Sequence, residues 1–400
     1  MNVVERRDVR LIVAFRSLSL IGDELALFSL MVHYATSNQK WMVGLLAFIN
    51  VAPPVFLTSV AGLVIDRVPI KRLLALVSLA QAAAAVGLVV IHSNVGVVVL
   101  LLLMGCGVAF TQPGYGTLVT HITPREDMAT TMSTMQSAAA VATMSAPVLA
   151  GLIYGSFGAS TAFAIDAITF LIVSVVTSLL VHDRIPEPHD PKNKTKGEMW
   201  AGMRWLFGDG LLRPVVITTM VTVLALNMIA VAEAILITHD FHGSATVFGL
   251  FGASFGVGNL LGSLAARKLP KGDVNCVQQM FAACIILGAT FGAIGWAPTL
   301  AWVFPLFFAG GIGNGIINVA INTLFATRLP DEIRGRGMAA ISTVFTGMTL
   351  CSLGLGAVAI ALVSARTIYQ IGGITTLVAI AVLGPLSLRQ AQRLATTQGA

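Results

Sequence analysis

Apolar residues in this chain come in long uninterrupted runs, and the polar positions fall between them at regular intervals. Val97–Leu103 and Leu171–Val176 contain no charged residue at all. A run of about 20 apolar residues is enough to cross a bilayer as a helix. Twelve such segments are predicted, at 10–36, 41–65, 73–92, 95–120, 128–153, 159–182, 211–238, 244–266, 274–296, 299–326, 336–364 and 367–388. The runs are continuous and do not alternate in stretches of about ten residues, which argues for helices and against a membrane β-barrel. The fold expected is all-α, with twelve transmembrane helices in two six-helix bundles.

Composition agrees with the pattern. Apolar residues make up 56% and charged residues 10% of the 400 positions, with a mean hydropathy of +0.86. A water-facing surface needs about 25% charge, so a soluble enzyme, a disulfide scaffold and a disordered chain are all excluded. The net charge of +6 could point to nucleic acid, but the positions of the charges give another reading. Arg6, Arg7 and Arg10 precede the first segment, and every second loop afterwards is basic. Twenty-one of the twenty-four Lys and Arg residues fall on one side, leaving Lys40, Arg366 and the embedded Arg16. The positive-inside rule then puts both termini in the cytoplasm. No nucleic-acid partner is expected. Trp41, Trp296 and Trp302 sit at the outer ends of spans, and Trp200 and Trp205 in a short amphipathic stretch on the inner side. These are the interfacial positions Trp prefers. The first segment has no small-residue cleavage site after it and is read as a retained span. The four cysteines fall inside spans and the seven histidines are scattered, so neither a disulfide nor a metal site is expected.

The longest polar stretch, 183–198, divides the chain into a bundle at 1–182, a linker with an amphipathic segment at 183–210 and a second bundle at 211–400. A repeat supports this division. Leu118-Val-Thr-His-Ile-Thr-Pro124 is followed by Arg125, Glu126 and Met132. The stretch Leu324-Phe-Ala-Thr-Arg-Leu-Pro330, 206 residues later, is followed by Asp331, Glu332 and Met338. Repeated six-helix halves are the mark of a transporter that alternates access at a site between them.

With these features the chain resembles the major facilitator superfamily along nearly its whole length. The loop Gly62-Leu-Val-Ile-Asp66-Arg67-Val-Pro-Ile-Lys71-Arg72 is similar to the superfamily's cytoplasmic loop motif, although Pro69 stands near the place of the usual glycine. The resemblance implies that Asp66 faces the start of helix 11, where the dipole favours an anion. It also implies that the basic residues pair with Glu126 or Asp127. Helix 5 carries Ala142, Ala146-Pro147 and Ala150-Gly151, similar to the motif of drug antiporters, with alanine at three glycine positions. Together with Gly22-Asp23 and Phe163-Ala-Ile-Asp166, these motifs resemble the third drug:proton antiporter group, which includes macrolide and siderophore exporters. The arginine that many proton-coupled members carry in helix 4 is absent, since Leu100–Met104 are all apolar.

Ionisable groups inside a membrane are functional candidates by default. Helix 1 holds Arg16, Asp23 and Glu24. At 1.5 Å per residue Asp23 lies roughly 18 Å deep. Two adjacent carboxylates do not both ionise easily, which suits proton exchange. They also point about 100° apart, so at most one is expected to face a cavity squarely. Helix 7 adds Asn227 and Glu233, the latter nearer the outer face as rim, gate or substrate contact. Gln112 and Tyr115 of helix 4, Met132 and Gln136 of helix 5, and Asn314, Asn318 and Asn322 of helix 10 are candidate cavity-lining residues. The asparagines fall on one face and either line the pathway or bond to neighbouring helices. Asp166 is read as a structural hydrogen-bonding group. Gly252, Gly256, Gly258 and Gly262 of helix 8 are read as close packing.

The reading is a monomeric, proton-driven exporter of amphipathic, cationic compounds in a prokaryotic inner membrane, with no cofactor beyond the proton gradient. No phosphate-binding loop or catalytic cluster is present. The alternative transporter exports a siderophore or lipid-like metabolite, where Arg16 would suit an anion. A membrane-embedded sensor or enzyme is the alternative from another class.

Overall fold

The computed structural model describes residues 3–37, 39–124, 126–183, 204, 207–270, 272–328 and 334–398. Among these residues twelve long helices follow one another: α1 Val3–Thr36, α2 Lys40–Ile65, α3 Ile70–Val90, α4 Asn94–Ile122, α5 Met128–Phe157, α6 Ala159–Leu179, α7 Leu212–Ile235, α8 Ala245–Lys268, α9 Asp273–Ile294, α10 Leu300–Arg328, α11 Arg334–Leu362 and α12 Ala365–Gln398. Each matches an expected span to within a few residues, except where α1 and α12 run on past the apolar stretch. There the helix continues into polar sequence, since nothing in Val3–Arg10 or Arg389–Gln398 breaks it. Eleven helices are long and apolar enough to cross a membrane. The one outside that set is α1, which carries Arg16, Asp23 and Glu24.

Local sequence sets the ends. Ser93 caps α4, its hydroxyl accepting the Gly96 N–H at 3.2 Å, and Asp209 accepts the N–H groups of Leu211 and Leu212 at 2.8 and 2.9 Å ahead of α7. Such caps satisfy donors that the helix leaves open. Gly158, at φ +79°, turns the chain between α5 and α6 in a conformation that favours glycine. The last turn of α7 widens into a π-turn, Leu236–Asp240.

The chain divides into two compact units. One comprises Met1–Pro191 with Ser244–Leu250, and the other Lys192–Gly243 with Phe251–Ala400. The break after Pro191 falls within the expected linker at 183–210, and the start of α8 groups with the first unit. Within the first unit α1 packs on α5 and α6, α3 on α4 and α6, and α2 on α4. Within the second, α7 packs on α11 and α12, and α9 on α10 and α12, while α8 meets α10 at Gly258 and Gly262. The pairings match helix for helix, as a repeat of 206 residues requires. Large apolar side chains such as Phe56, Leu76, Val90, Phe157 and Leu362 are exposed. That is the reverse of a soluble protein and suits contact with lipid.

Trp41, Trp296 and Trp302 are exposed at helix ends. Trp200 and Trp205 lie outside the described residues, as do Arg125, Arg184, Lys192, Lys194, Lys196 and Lys271.

Candidate functional site

A cavity of about 320 Å³ opens in the first unit between α1, α2, α4 and α5. The α1 wall is Val13, Arg16, Ser17, Leu20, Asp23, Glu24 and Leu27. These positions recur at intervals of three and four, the spacing of a single helical stripe. Asp23 and Glu24 therefore straddle the stripe, and both line the cavity. Two residues about 100° apart fit one stripe when its midline passes between them, so each meets the cavity obliquely.

The opposite wall is apolar. Leu101, Met104, Gly105 and Val108 of α4 form it, with Gln112 and Tyr115 at its polar end, and Met135, Gln136 and Ala139 of α5 close the side. Asn50 of α2 adds an amide. Gly105 lets α4 settle against Pro53 of α2, since an added Cβ would stand 2.9 Å from Pro53 Cγ. Arg16 stacks over the Tyr115 ring, 5.7 Å from its centroid, a cation–π arrangement. The Tyr115 hydroxyl shares a hydrogen bond of 2.9 Å with Thr177 Oγ1, which fixes the ring. Arg16 forms no direct ion pair among the described residues, but its charge acts on Asp23 of the same helix.

Other candidates fall elsewhere. Met132 packs with Met135 against the apolar cluster around Leu118, Val119 and Ile122, and it does not line the cavity; its side chain lies toward the core face of α5. Asn227 donates to the Val223 carbonyl of its own helix at 2.9 Å. Asn318 donates to the Asn314 carbonyl at 2.9 Å and to its amide oxygen at 2.6 Å, and Asn322 donates to the Asn318 carbonyl at 2.8 Å. The three form a ladder along one face of α10, exposed at Asn318 and Asn322. No hydrogen bond from these asparagines to another helix is present among the described residues. Glu233 is half-buried on α7, within electrostatic reach of the fully buried Tyr369. Asp166 is also fully buried, but neither carboxyl oxygen has a hydrogen-bond partner.

In the loop between α2 and α3, Lys71 bonds to the end of α6. The Lys71 side chain donates to the Leu180 carbonyl at the end of α6, and its backbone N–H donates to Asp183 Oδ1 at 3.1 Å. Lys71 thus ties α3 to α6, because the orphan carbonyls at a helix C-terminus attract a cation. Asp66 caps α2, its N–H bonding the Gly62 carbonyl at 3.0 Å, while Arg67 and Arg72 are exposed. The turn before α11, at 329–333, lies outside the described residues, and with it part of the expected partner of Asp66. On α5, Gly151 comes close to the start of α8: an added Cβ would stand 2.7 Å from the Ala245 carbonyl oxygen. Likewise a Cβ on Gly249 would stand 2.3 Å from the Pro147 carbonyl oxygen. The motif residues Ala146, Pro147 and Gly151 thus lie in a close helix contact, with Ala146 fully buried.

The sequence reading missed Asn50 and the apolar wall of α4. Asn50 is a lone amide in an apolar run next to Pro53 and Pro54, a signal that was available. Leu101 and Met104 carry no mark separating them from lipid-facing neighbours.

A membrane-embedded helical chain of two repeated units, with a polar stripe in an apolar cavity, defines a transporter and not an enzyme. The family model described as transmembrane secretion effector matches residues 22–398, and the chain belongs to this family of the major facilitator superfamily. It is 23% identical over 365 residues to an uncharacterized MFS-type transporter, YfiS, of Bacillus subtilis (strain 168), covering 88% of this chain and 87% of that one. Among solved structures it is similar to a bacterial homologue of the iron transporter ferroportin, with a TM-score of 0.73 and 15% identity over 98% of this chain and 100% of that one. The nucleoside transporter NupG gives a TM-score of 0.73 and 14% identity over 96% and 99%. A bacterial homologue of the human lysosomal transporter Spinster gives 0.71 and 13% over 98% of each chain. At these identities the likeness establishes the fold.

Proposed function

We propose that this transporter exports amphipathic, cationic compounds in exchange for protons, by alternating access of its two units across a prokaryotic inner membrane with both termini cytoplasmic. The observation that carries the reading is the placement of Asp23 and Glu24 together on the wall of one cavity, opposite the apolar side chains of Leu101, Met104 and Val108. With both carboxylates ionised and Arg16 charged, the cavity holds one net negative charge and attracts a cation. A proton on either carboxyl removes that charge and releases the cation. In a low-dielectric cavity a carboxylate is stable with a proton or with a cationic partner, and this exclusivity is what antiport requires. The apolar wall of Leu101, Met104 and Val108 with the adaptable Met135 suits a substrate with a hydrophobic body. The motif resemblance to drug:proton antiporters points the same way.

Arg16 favours a second reading, export of an anionic siderophore or lipid-like metabolite, because it brings a positive charge to the cavity wall. Inverted membrane vesicles carrying an acid-inside gradient distinguish the two. Cationic dyes are expected to accumulate, and a protonophore to abolish the accumulation. Uptake that survives collapse of the proton gradient, or that is confined to anionic dyes, would overturn the cation–proton reading.

A further inference from the structure

Asp166 has no part in the cavity wall, yet its surroundings resemble those of no ordinary structural aspartate. The side chain is 0% exposed, and both carboxyl oxygens lack a hydrogen-bond partner. The neighbouring Thr169 hydroxyl donates at 2.8 Å to the backbone carbonyl of Asp166, and it is the one neutral polar side chain that also acts on the carboxyl among the described residues. Across the helix contact stands Gly22 of α1, where an added Cβ would lie 2.6 Å from Asp166 Oδ1. The next residue, Asp23, lines the cavity and lies within electrostatic reach of Asp166.

The helices packed on α6 are α1, α3 and α5. From α1, Asp23 acts on Asp166, while Arg16 acts on Asp23 and Tyr115. The cations of α3, Lys71 and Arg72, lie in its first turn, and the titratable group of α5, Tyr154, lies in its last turn. Among the described residues no counter-ion reaches Asp166. A carboxylate buried without a counter-ion is among the costliest groups to bury, and a bound proton removes that cost. Packing does not demand an acid here either. The positions 206 residues beyond Asp23 and Asp166 are Ile229 and Gly372, and they close the matching contact of α7 with α12: Ile229 Cδ1 lies 2.8 Å from an added Cβ on Gly372.

The geometry points to Asp166 as a second proton-binding site, a dry carboxyl behind the cavity wall that is loaded and emptied through Asp23. Asp23 takes a proton from the cavity. The proton passes to Asp166, whose carboxylate becomes the acid while Asp23 returns to the anion that a cationic substrate meets. The pair keeps at least one proton, since two carboxylates on touching helices would otherwise repel without compensation. The role in transport rests on the proton-coupled reading above, but the site itself is tested without transport.

The test is infrared spectroscopy of the full chain reconstituted in lipid, following the carbonyl stretch of protonated carboxyl groups and its shift in deuterated buffer. The wild type is expected to show an acid band at neutral pH that is lost in Asp166→Asn. In Asp23→Asn the band should remain but exchange with deuterium more slowly, because its route to the cavity is removed. A merely structural Asp166 would move neither readout. An acid band unchanged in Asp166→Asn, no acid band in the wild type, or deuterium exchange unaltered by Asp23→Asn overturns the proposal. If Asp166→Asn does not fold, Asp166→Glu, which keeps the acid on a longer stem, takes its place. A shifted acid band then supports the site and an unshifted one overturns it. Efflux that ignores the proton gradient would instead overturn the transport reading and leave the infrared result standing.

Discussion

At the scale of single residues, Asp23 and Glu24 carry the heaviest expectation, because both meet the same cavity. Replacing the carboxyl that exchanges protons should abolish uphill efflux, while exchange of substrate down its gradient survives. Asp23→Asn and Glu24→Gln are to be compared separately in vesicles. A cationic substrate should also bind more weakly, since the cavity loses its net negative charge. Full proton-driven efflux in the double variant would refute the coupling role and leave Glu233 as the next group to test. Tyr115→Phe asks a narrower question: it removes the bond to Thr177 but keeps the ring under Arg16. The expected loss is about 1 kcal/mol of stability, with dye selectivity preserved, read from thermal unfolding beside the vesicle assay.

At the scale of helices, close contacts through glycine hold α8 and α10 together. An added Cβ on Gly311 would stand 2.1 Å from the Phe255 carbonyl oxygen, and one on Gly315 would stand 2.1 Å from that of Asn259. Backbone atoms cannot yield as a side-chain tip can. Gly315→Ala should therefore destabilise by about 1–3 kcal/mol, the usual range for overpacking. Thermal unfolding in detergent measures it, and an unchanged midpoint would show that the two helices can part freely. Helix ends supply a second prediction. Asp66→Asn should impair efflux while leaving folding largely intact, because a charge–dipole contact of roughly 0.3–1 kcal/mol is enough to bias balanced conformations. Normal efflux by a well-expressed variant would count against that role.

At the scale of the whole molecule, the first unit is tied from its beginning to its end. Asp8, ahead of the first span and fully buried, accepts the N–H groups of Val181 and His182 at 3.0 and 3.1 Å and lies 2.9 Å from His182 Nδ1. Burial alone would raise its pKa. The bonds from the His182 ring, the two backbone N–H groups and the charge of His182 outweigh that and hold the carboxyl below the ordinary aspartate value of 3.8. A depressed pKa in the folded state makes Asp8 stabilising above pH 3.8, and the contribution fades as pH falls through the lower folded value. Asp8→Ala should cost about 1–3 kcal/mol by leaving two N–H groups unpaired. The gap between variant and wild type in thermal unfolding should shrink in acid, and a gap that widens there would contradict the assignment.

How much of this was legible in advance differs between features. Apolar runs and basic loops determined the helices, because each span satisfies its own backbone and must match the bilayer wherever its neighbours lie. The 206-residue repeat also showed in the sequence, and the helix pairings within each unit follow it. The carboxylates of α1 stood out because charge is rare in such a run. Which positions share a cavity was a different matter. Leu101 and Met104 read like any lipid-facing residue, since lipid and protein interior are equally apolar and leave the same mark on a sequence. Met132 and Met135 are three residues apart on α5 and only the second reaches the cavity, because helix rotation is set by packing against α1 and α6. Lys71 turns to the end of α6 for the same reason. A side chain's chemistry is written in the chain, but its neighbours are chosen only when the helices close on one another.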